Sequence, residues 1–155
     1  MTSIRVDRVP FGGASPSPNS PYAHCLEIRR VVFTLGQGVP EDLELDGLDE
    51  SAEHLLAWKI DAGEATPVGV ARMRRSDRNA KAERVGVLES QRDHGVGRAL
   101  MHAIELRARD LEREAIALHA QVGVISFYEK LGYEAHGEVF DEAGINHRSM
   151  RKFLR

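Results

Sequence analysis

The chain has 155 residues, with 21 Lys plus Arg against 24 Asp plus Glu and a formal net charge of −3. That length suits one domain, and the acidic balance gives no general reason to bind nucleic acid. A lone Cys25 excludes an internal disulfide, and no apolar run nears the roughly 18 residues that cross a bilayer. No secretory signal stands at the N-terminus, so a reducing cytoplasm is the expected compartment, with no membrane partner.

Residues 10–21, PFGGASPSPNSP, are too rich in proline, glycine and serine for a packed element. Residues 1–21 therefore read as a flexible N-terminal arm and 22–155 as the domain. Tyr22–Ile28 reads as a first strand. Arg30–Leu35 continues apolar, over too short a run for periodicity to separate strand from helix. Gly36–Pro40 breaks it. Glu41–Glu53 carries acids and no base, the pattern of a solvated face. His54–Ile60 and Thr66–Arg74 form a hairpin about the turn at Asp61–Glu64, with Trp58 in the sheet core. Arg72, Arg74, Arg75, Arg78, Lys81 and Arg84 read as its solvated basic rim.

Ala82–Leu88 is strand-like. Arg98–Glu114 is the clearest helix, with Leu100, Ile104 and Leu111 on one face. Ala115–Ala120 reads as a buried strand. Val124–Leu131 is a second helix, which Gly132 stops. Tyr133–Val139 and His147–Leu154 close as a strand pair. Strands followed by strand–helix–strand–helix give an α/β (α+β) class: a mixed, mostly antiparallel sheet flanked by helices. Cys25 packs as a small hydrophobe. The histidines lack a metal-ligand spacing, so no metal is expected.

The segment Arg84–Leu100, RVGVLESQRDHGVGRAL, leads a strand through Gly95 and Gly97 into the long helix. Glycines there let backbone N–H groups converge, and the helix N-terminus adds free donors and partial positive charge. Arg92 and Arg98 bracket the loop. The arrangement suits a phosphate, while geometry alone also explains glycines at a tight strand-to-helix turn. It is not a P-loop, and no third glycine completes a dinucleotide fingerprint.

Arg92-Asp93-His94-Gly95-Val96-Gly97 resembles the pyrophosphate loop of the GNAT superfamily of acetyl-CoA-dependent N-acetyltransferases. Phe127-Tyr128-Glu129-Lys130-Leu131-Gly132-Tyr133 resembles its later helix-to-strand segment. Val32-Phe33, Gly36–Pro40, Leu118–Gln121 and Glu142–Ile145 with His147 and Met150 look like the ElaA-like branch. The resemblance spans roughly residues 22–154. It implies a GNAT fold with a central splay, acetyl-CoA as acyl donor, and direct transfer to a primary amine, on a small molecule or peptide, without a covalent enzyme intermediate.

Residue by residue, the resemblance implies backbone pairing of Val85 and Val87 with pantetheine, and an N–H of Val85 toward the thioester carbonyl. It implies pyrophosphate held by amides of His94, Gly95, Val96, Gly97, Arg98 and Ala99, with Arg92 and Phe127 beside the donor. Tyr128 becomes the acid for the departing thiolate. His119 leads as base, with Glu83 and a water chain open. Regular alternation would put Glu83, Val85 and Val87 on one face. Phe33, Gln37, Glu142 and His147 are acceptor contacts. Asp93 and His94 depart from the common loop and lower its positive charge. A homodimer stays open. The rival readings are a non-catalytic acetyl-CoA-binding or interaction module and, more remotely, an acyl-homoserine-lactone synthase-like enzyme.

Overall fold

A computed structural model describes residues 1–155. Seven strands form one sheet in the order β1-β2-β3-β4-β5-β7-β6, and every neighbouring pair except β4–β5 is antiparallel. The strands are β1 (Thr2–Val9), β2 (Glu53–Asp61), β3 (Glu64–Ser76), β4 (Asn79–Val87), β5 (Ala115–Gln121), β6 (Glu134–Glu142) and β7 (Ile145–Phe153). Helices α1 (Pro21–Arg29) and α2 (Glu41–Glu44) cover one face, and α3 (Val96–Asp110) and α4 (Ile125–Lys130) the other.

Period-2 alternation sorts the strand side chains between two cores. On the α3–α4 face Leu55, Ala57, Ala71, Met73, Ala80, Ala82, Ile116, Leu118 and Met150 pack against Leu100, Met101, Ile104 and Tyr128. On the α1 face Leu56 and Val70 meet Val9, Tyr22, Cys25, Ile28 and Val32. Burial of such side chains contributes roughly 1.5–3 kcal/mol each before the entropy of ordering them.

Three sequence expectations change. Residues 1–21 are not an arm throughout. TSIRVDRV pairs with β2 from Thr2↔Asp61 to Val9↔His54, because Ile4 and Val6 reach one core and Val9 the other. Tyr22–Ile28 is helix rather than strand. Ser20 caps it by accepting from the Ala23 N–H at 3.3 Å, and Pro21 fixes the first turn. Arg30–Leu35 continues as a π-helical turn. Trp58 is half-buried beside the α1-face core, with the Arg5 guanidinium 5.6 Å from its ring centre.

The acids of 41–53 and the arginines of the hairpin are also not simply solvated. Arg29 and Arg72 have fully buried side chains. Arg72 bonds Asp46 (2.8 Å), Asp49 (2.9 Å) and Glu83 (3.1 Å), while Arg29 bonds Glu44 and Asp49. Arg84 adds ion pairs to Glu44 and Asp46. This network ties the segment holding α2 to the α1 face of the sheet. Burial works against the charge on Arg72, but the bonds from Asp46 and Asp49 outweigh it and hold its pKa above the usual arginine value. Burial likewise opposes the charge on Asp49; the bonds from Tyr22 and Arg29 win and lower its pKa to about 2.

Candidate active site

The parallel pair β4–β5 is hydrogen-bonded only from Ala80↔Ile116 to Ala82↔Leu118. Beyond it the strands diverge, so the β5-facing edge of β4 from Glu83 to Val87 has no strand partner. A cleft of about 860 Å³ opens there. It takes lining from both sides: Phe33 and Gln37 from the α1 segment, and Val96, Gly97, Arg98, Phe127 and Tyr128 from α3 and α4.

A bulge at the root of the splay decides which face each β4 side chain meets. Register on β3 jumps between Val70↔Gly86 and Arg72↔Glu83, and Arg84 sits at φ +52°. Glu83 therefore faces Arg72 and Arg74 on the α1 side, and a Cβ at Gly86 would lie 3.1 Å from the Phe33 ring. Val85 and Val87 pack toward the α3–α4 core. The bulge overturns the expectation that Glu83 shares their face. Glu83 is also held by Arg74 at 2.6 Å and by Lys81 at 3.6 Å. Burial would raise its pKa, but the Arg74 and Arg72 bonds bring it below the usual carboxylate range, so it is no free base.

On the α3–α4 side, Asp93 (φ +65°) and Gly95 (φ +83°) turn the chain into α3. No side chain caps this helix, so the first-turn amides of Val96, Gly97 and Arg98 have no intrahelical acceptor. The Ala99 amide is different: it donates to the Gly95 carbonyl at 3.0 Å, which removes it from the expected donor set. The His94 side chain is exposed and lies outside the cleft lining. Arg92 Nε donates to the Val87 carbonyl at 3.1 Å. A Cβ at Gly97 would lie 3.1 Å from Phe127 Cζ, so any larger residue would push that ring off the helix start by a few tenths of an ångström.

Tyr128 projects from α4 with its ring edge-on to Phe127 and Tyr133, at centroid distances of 5.0 and 5.8 Å. It is buried yet lines the cleft, and no protein group hydrogen-bonds its hydroxyl. Burial pushes its pKa up to about 12, so the phenol stays protonated at neutral pH.

On the α1 side, Leu118 and Ala120 point to the α3–α4 core, so His119 and Gln121 point the other way. Gln121 donates to Gln37 at 2.8 Å and ties the π-helical segment over β5. His119 Nδ1 lies 2.9 Å from Glu142 Oε1. The carboxylate accepts, so Nδ1 carries the proton and Nε2 is left as a basic nitrogen. His147 Nδ1 donates to the Ile145 carbonyl at 2.8 Å, and its Nε2 is 3.6 Å from the other oxygen of Glu142. Phe140 stacks on His147 and meets His119 edge-on. The Glu142 carboxylate thus orients the His119 ring and lies beside His147, whose own ring is set by the Ile145 carbonyl, a grouping that composition and spacing do not display. It arises because β5–β7 register sets Gln121 opposite His147, and β6–β7 register sets Phe140 opposite the same residue.

All the expected site residues except His94 and Ala99 line this one cleft. The splay makes it a passage between the two faces: helix-start amides and a protonated phenol on one, an oriented imidazole on the other. That is a layout for moving a group between an anionic donor and a second substrate.

A family model for the acetyltransferase (GNAT) domain matches residues 37–154. The uncharacterized N-acetyltransferase YjcF of Bacillus subtilis is 40% identical over 126 residues, covering 81% of this chain and 87% of that protein. ElaA of Escherichia coli is 31% identical over 132 residues, covering 82% and 84%. The crystal structure of E. coli ElaA superposes with a TM-score of 0.77 at 28% identity, over 97% of this chain and 99% of that one. A Bacillus subtilis acetyltransferase in complex with CoA shares the fold, with a TM-score of 0.69 at 17% identity over 99% and 100% of the chains. With two relatives above 30% identity and a family model over most of its length, the chain belongs to the GNAT acetyltransferases, on the ElaA-like branch.

Proposed function

We propose that the chain transfers the acetyl group of acetyl-CoA directly to a primary amine within a ternary complex. The observation that carries this reading is the splay itself. It joins a cradle for a diphosphate on one face of the sheet to an oriented base on the other.

The free amides of Val96, Gly97 and Arg98, with the Gly95 turn and the Arg92 and Arg98 side chains, hold the diphosphate. The unpaired edge of β4 at Val85 and Val87 receives the pantetheine amides as a further strand would. Acetyl-CoA supplies an acetyl thioester. An N–H of Val85 on its carbonyl oxygen steadies the developing charge, which can lower the barrier by about 3 kcal/mol.

His119 Nε2 takes the proton of the amine as it attacks. Glu142 holds the ring and stabilises the imidazolium that forms. Tyr128 presents its hydroxyl to the departing sulfur and gives up its proton as thiolate charge builds in a desolvated site. Phe33, Gln37, Glu142 and His147 shape the acceptor side. No nucleophile is needed, because the amine reaches the thioester through the opening.

The test is thiol release from acetyl-CoA across a panel of amines, run with the native chain and with Tyr128→Phe. Turnover with at least one amine is expected, with kcat falling about 100-fold or more in the variant. The Kd for CoA by calorimetry should stay within about threefold. Equal kcat would remove the acid role. CoA binding with no release from any amine would remove acetyl transfer.

A further inference from the structure

The acceptor side of the cleft has an uneven charge, and the unevenness follows from strand register. Along the α1 face, Arg74 on β3 stands opposite Lys81 on β4, Lys81 opposite Ala117 on β5, and Ala117 opposite Arg151 on β7. Ala80 and Ala82 belong to the opposite core, so Lys81 points to the face that holds His119. His119 is two residues beyond Ala117 on that face. Its Cα is thus diagonal to that of Lys81, about 8 Å away by strand geometry.

These cations are not fully neutralised. Arg29, Arg72, Arg74, Lys81 and Arg84 form one connected network with only Glu44, Asp46, Asp49 and Glu83. Glu83 serves Arg72, Arg74 and Lys81 together. The surplus positive charge lies at that end, where Arg74 and Lys81 are each about a quarter exposed and line the cleft. Lys81 meets Glu83 at 3.6 Å and donates no hydrogen bond to protein. Across the opening on the acceptor side, Glu142 lines the cleft without an Arg or Lys partner, half exposed beside the two histidines, while the other unpaired lining acid, Asp93, belongs to the loop before α3.

The geometry points to an acceptor that is a free amino acid. Its amine lies at His119 and Glu142, and its carboxylate lies against Lys81 and Arg74, all four of which line the cleft. Positive charge on the β3–β4 rim and negative charge on the β6 end complement a zwitterion in one orientation. A carboxylate brought to Lys81 gains charge-assisted hydrogen bonds that a simple amine cannot make. The remaining lining, Phe33, Val39, Leu43, Leu48 and Ile145, receives an apolar side chain. This assignment rests on the acetyl-transfer reading for its turnover test and stands apart from it for its binding test.

The experiment compares amino acids with their decarboxylated amines: phenylalanine with phenethylamine, and leucine with isoamylamine. In thiol-release assays each amino acid should exceed its amine at least tenfold in kcat/KM. Lys81→Met should bring the ratio to near one, and Lys81→Arg should keep most of it. Calorimetric titration of the same four compounds into the unaltered protein–CoA complex should give the same order of affinity, whether or not a variant folds. Amines that match or exceed the amino acids in binding overturn the proposal, as does a ratio that survives in folded Lys81→Met. Absence of thiol release with the binding order intact would strike the acetyl-transfer reading and leave the amino-acid assignment standing.

Discussion

Replacing Arg72 by Met isolates what the buried ion network does. The methionine fills much of the aliphatic space, so packing loss is small and the charge is the main change. Arg72 is fully buried and bonds Asp46 through two nitrogens, Asp49 through one and Glu83 through one. Its removal leaves carboxylates with depleted partners, of which Asp49 and Glu83 are largely buried. Breaking such a pair from one side costs about 3–5 kcal/mol. For a domain of this size that lowers Tm by roughly 10 °C or more. The cost should depend on pH. Asp46, Asp49 and Glu83 all have native pKa values below their ordinary ones. Each therefore stabilises the native chain above its unfolded pKa near 4, and that stabilisation is lost as pH falls toward 2.

In Arg72→Met the freed carboxylates take up protons more readily, so the native variant loses less stability on acidification than the parent does. The difference between the two proteins in urea unfolding should shrink by roughly 1–2 kcal/mol between pH 7 and pH 3. A difference that is the same at both pH values would refute the electrostatic argument and assign the loss to packing.

Gly97→Ala should weaken CoA binding several-fold, because its Cβ meets Phe127 at 3.1 Å; calorimetry with Phe127→Leu added should recover part of the loss, a positive coupling in a double-mutant cycle. His119→Ala should lower kcat about 100-fold, while Glu142→Gln, whose amide oxygen can still accept from Nδ1, should lower it less.

Much of the fold was legible because local signals agreed with tertiary ones. The Arg98–Glu114 pattern gives α3, although the helix begins at Val96, two residues earlier. The Gly95 and Gly97 turn and the FYEKLGY segment marked the α3–α4 side of the cleft. What failed had a physical cause in each case. In YAHCLEI the eye follows a short apolar run, whereas Ser20-Pro21 and the three-to-four spacing of Tyr22, Cys25, Ile28 and Val32 carry the helical signal. The proline-rich stretch after Val9 drew attention away from the alternation of Ile4 and Val6 before it. Acids at 41–53 and arginines at 72–84 look solvated when each run is seen alone; only the chain's return path brings them together with Arg29. The bulge at Arg84 has no sequence mark, since a non-glycine at φ +52° is held by its contacts with Glu44 and Asp46 rather than by its own preference. The shared carboxylate of Glu142 depended on the register of three strands.

Because β4 and β5 part company after Ala82, the proposed reaction has its two halves mounted on opposite walls of the molecule. In the proposed reading, substitutions at the apolar positions Val39, Leu43 and Leu48 reshape what is acetylated without disturbing the turn at Gly95 or the seat of Tyr128, whereas Glu44 and Asp46 hold the bulge at Arg84. Donor chemistry and acceptor choice are thereby uncoupled, so a chain of this kind can trade one amine for another while its grip on the nucleotide end stays fixed. Only the few residues at the fork, Ala82, Glu83 and the bulged Arg84, answer to both sides at once, and there a single change would be felt in both substrates.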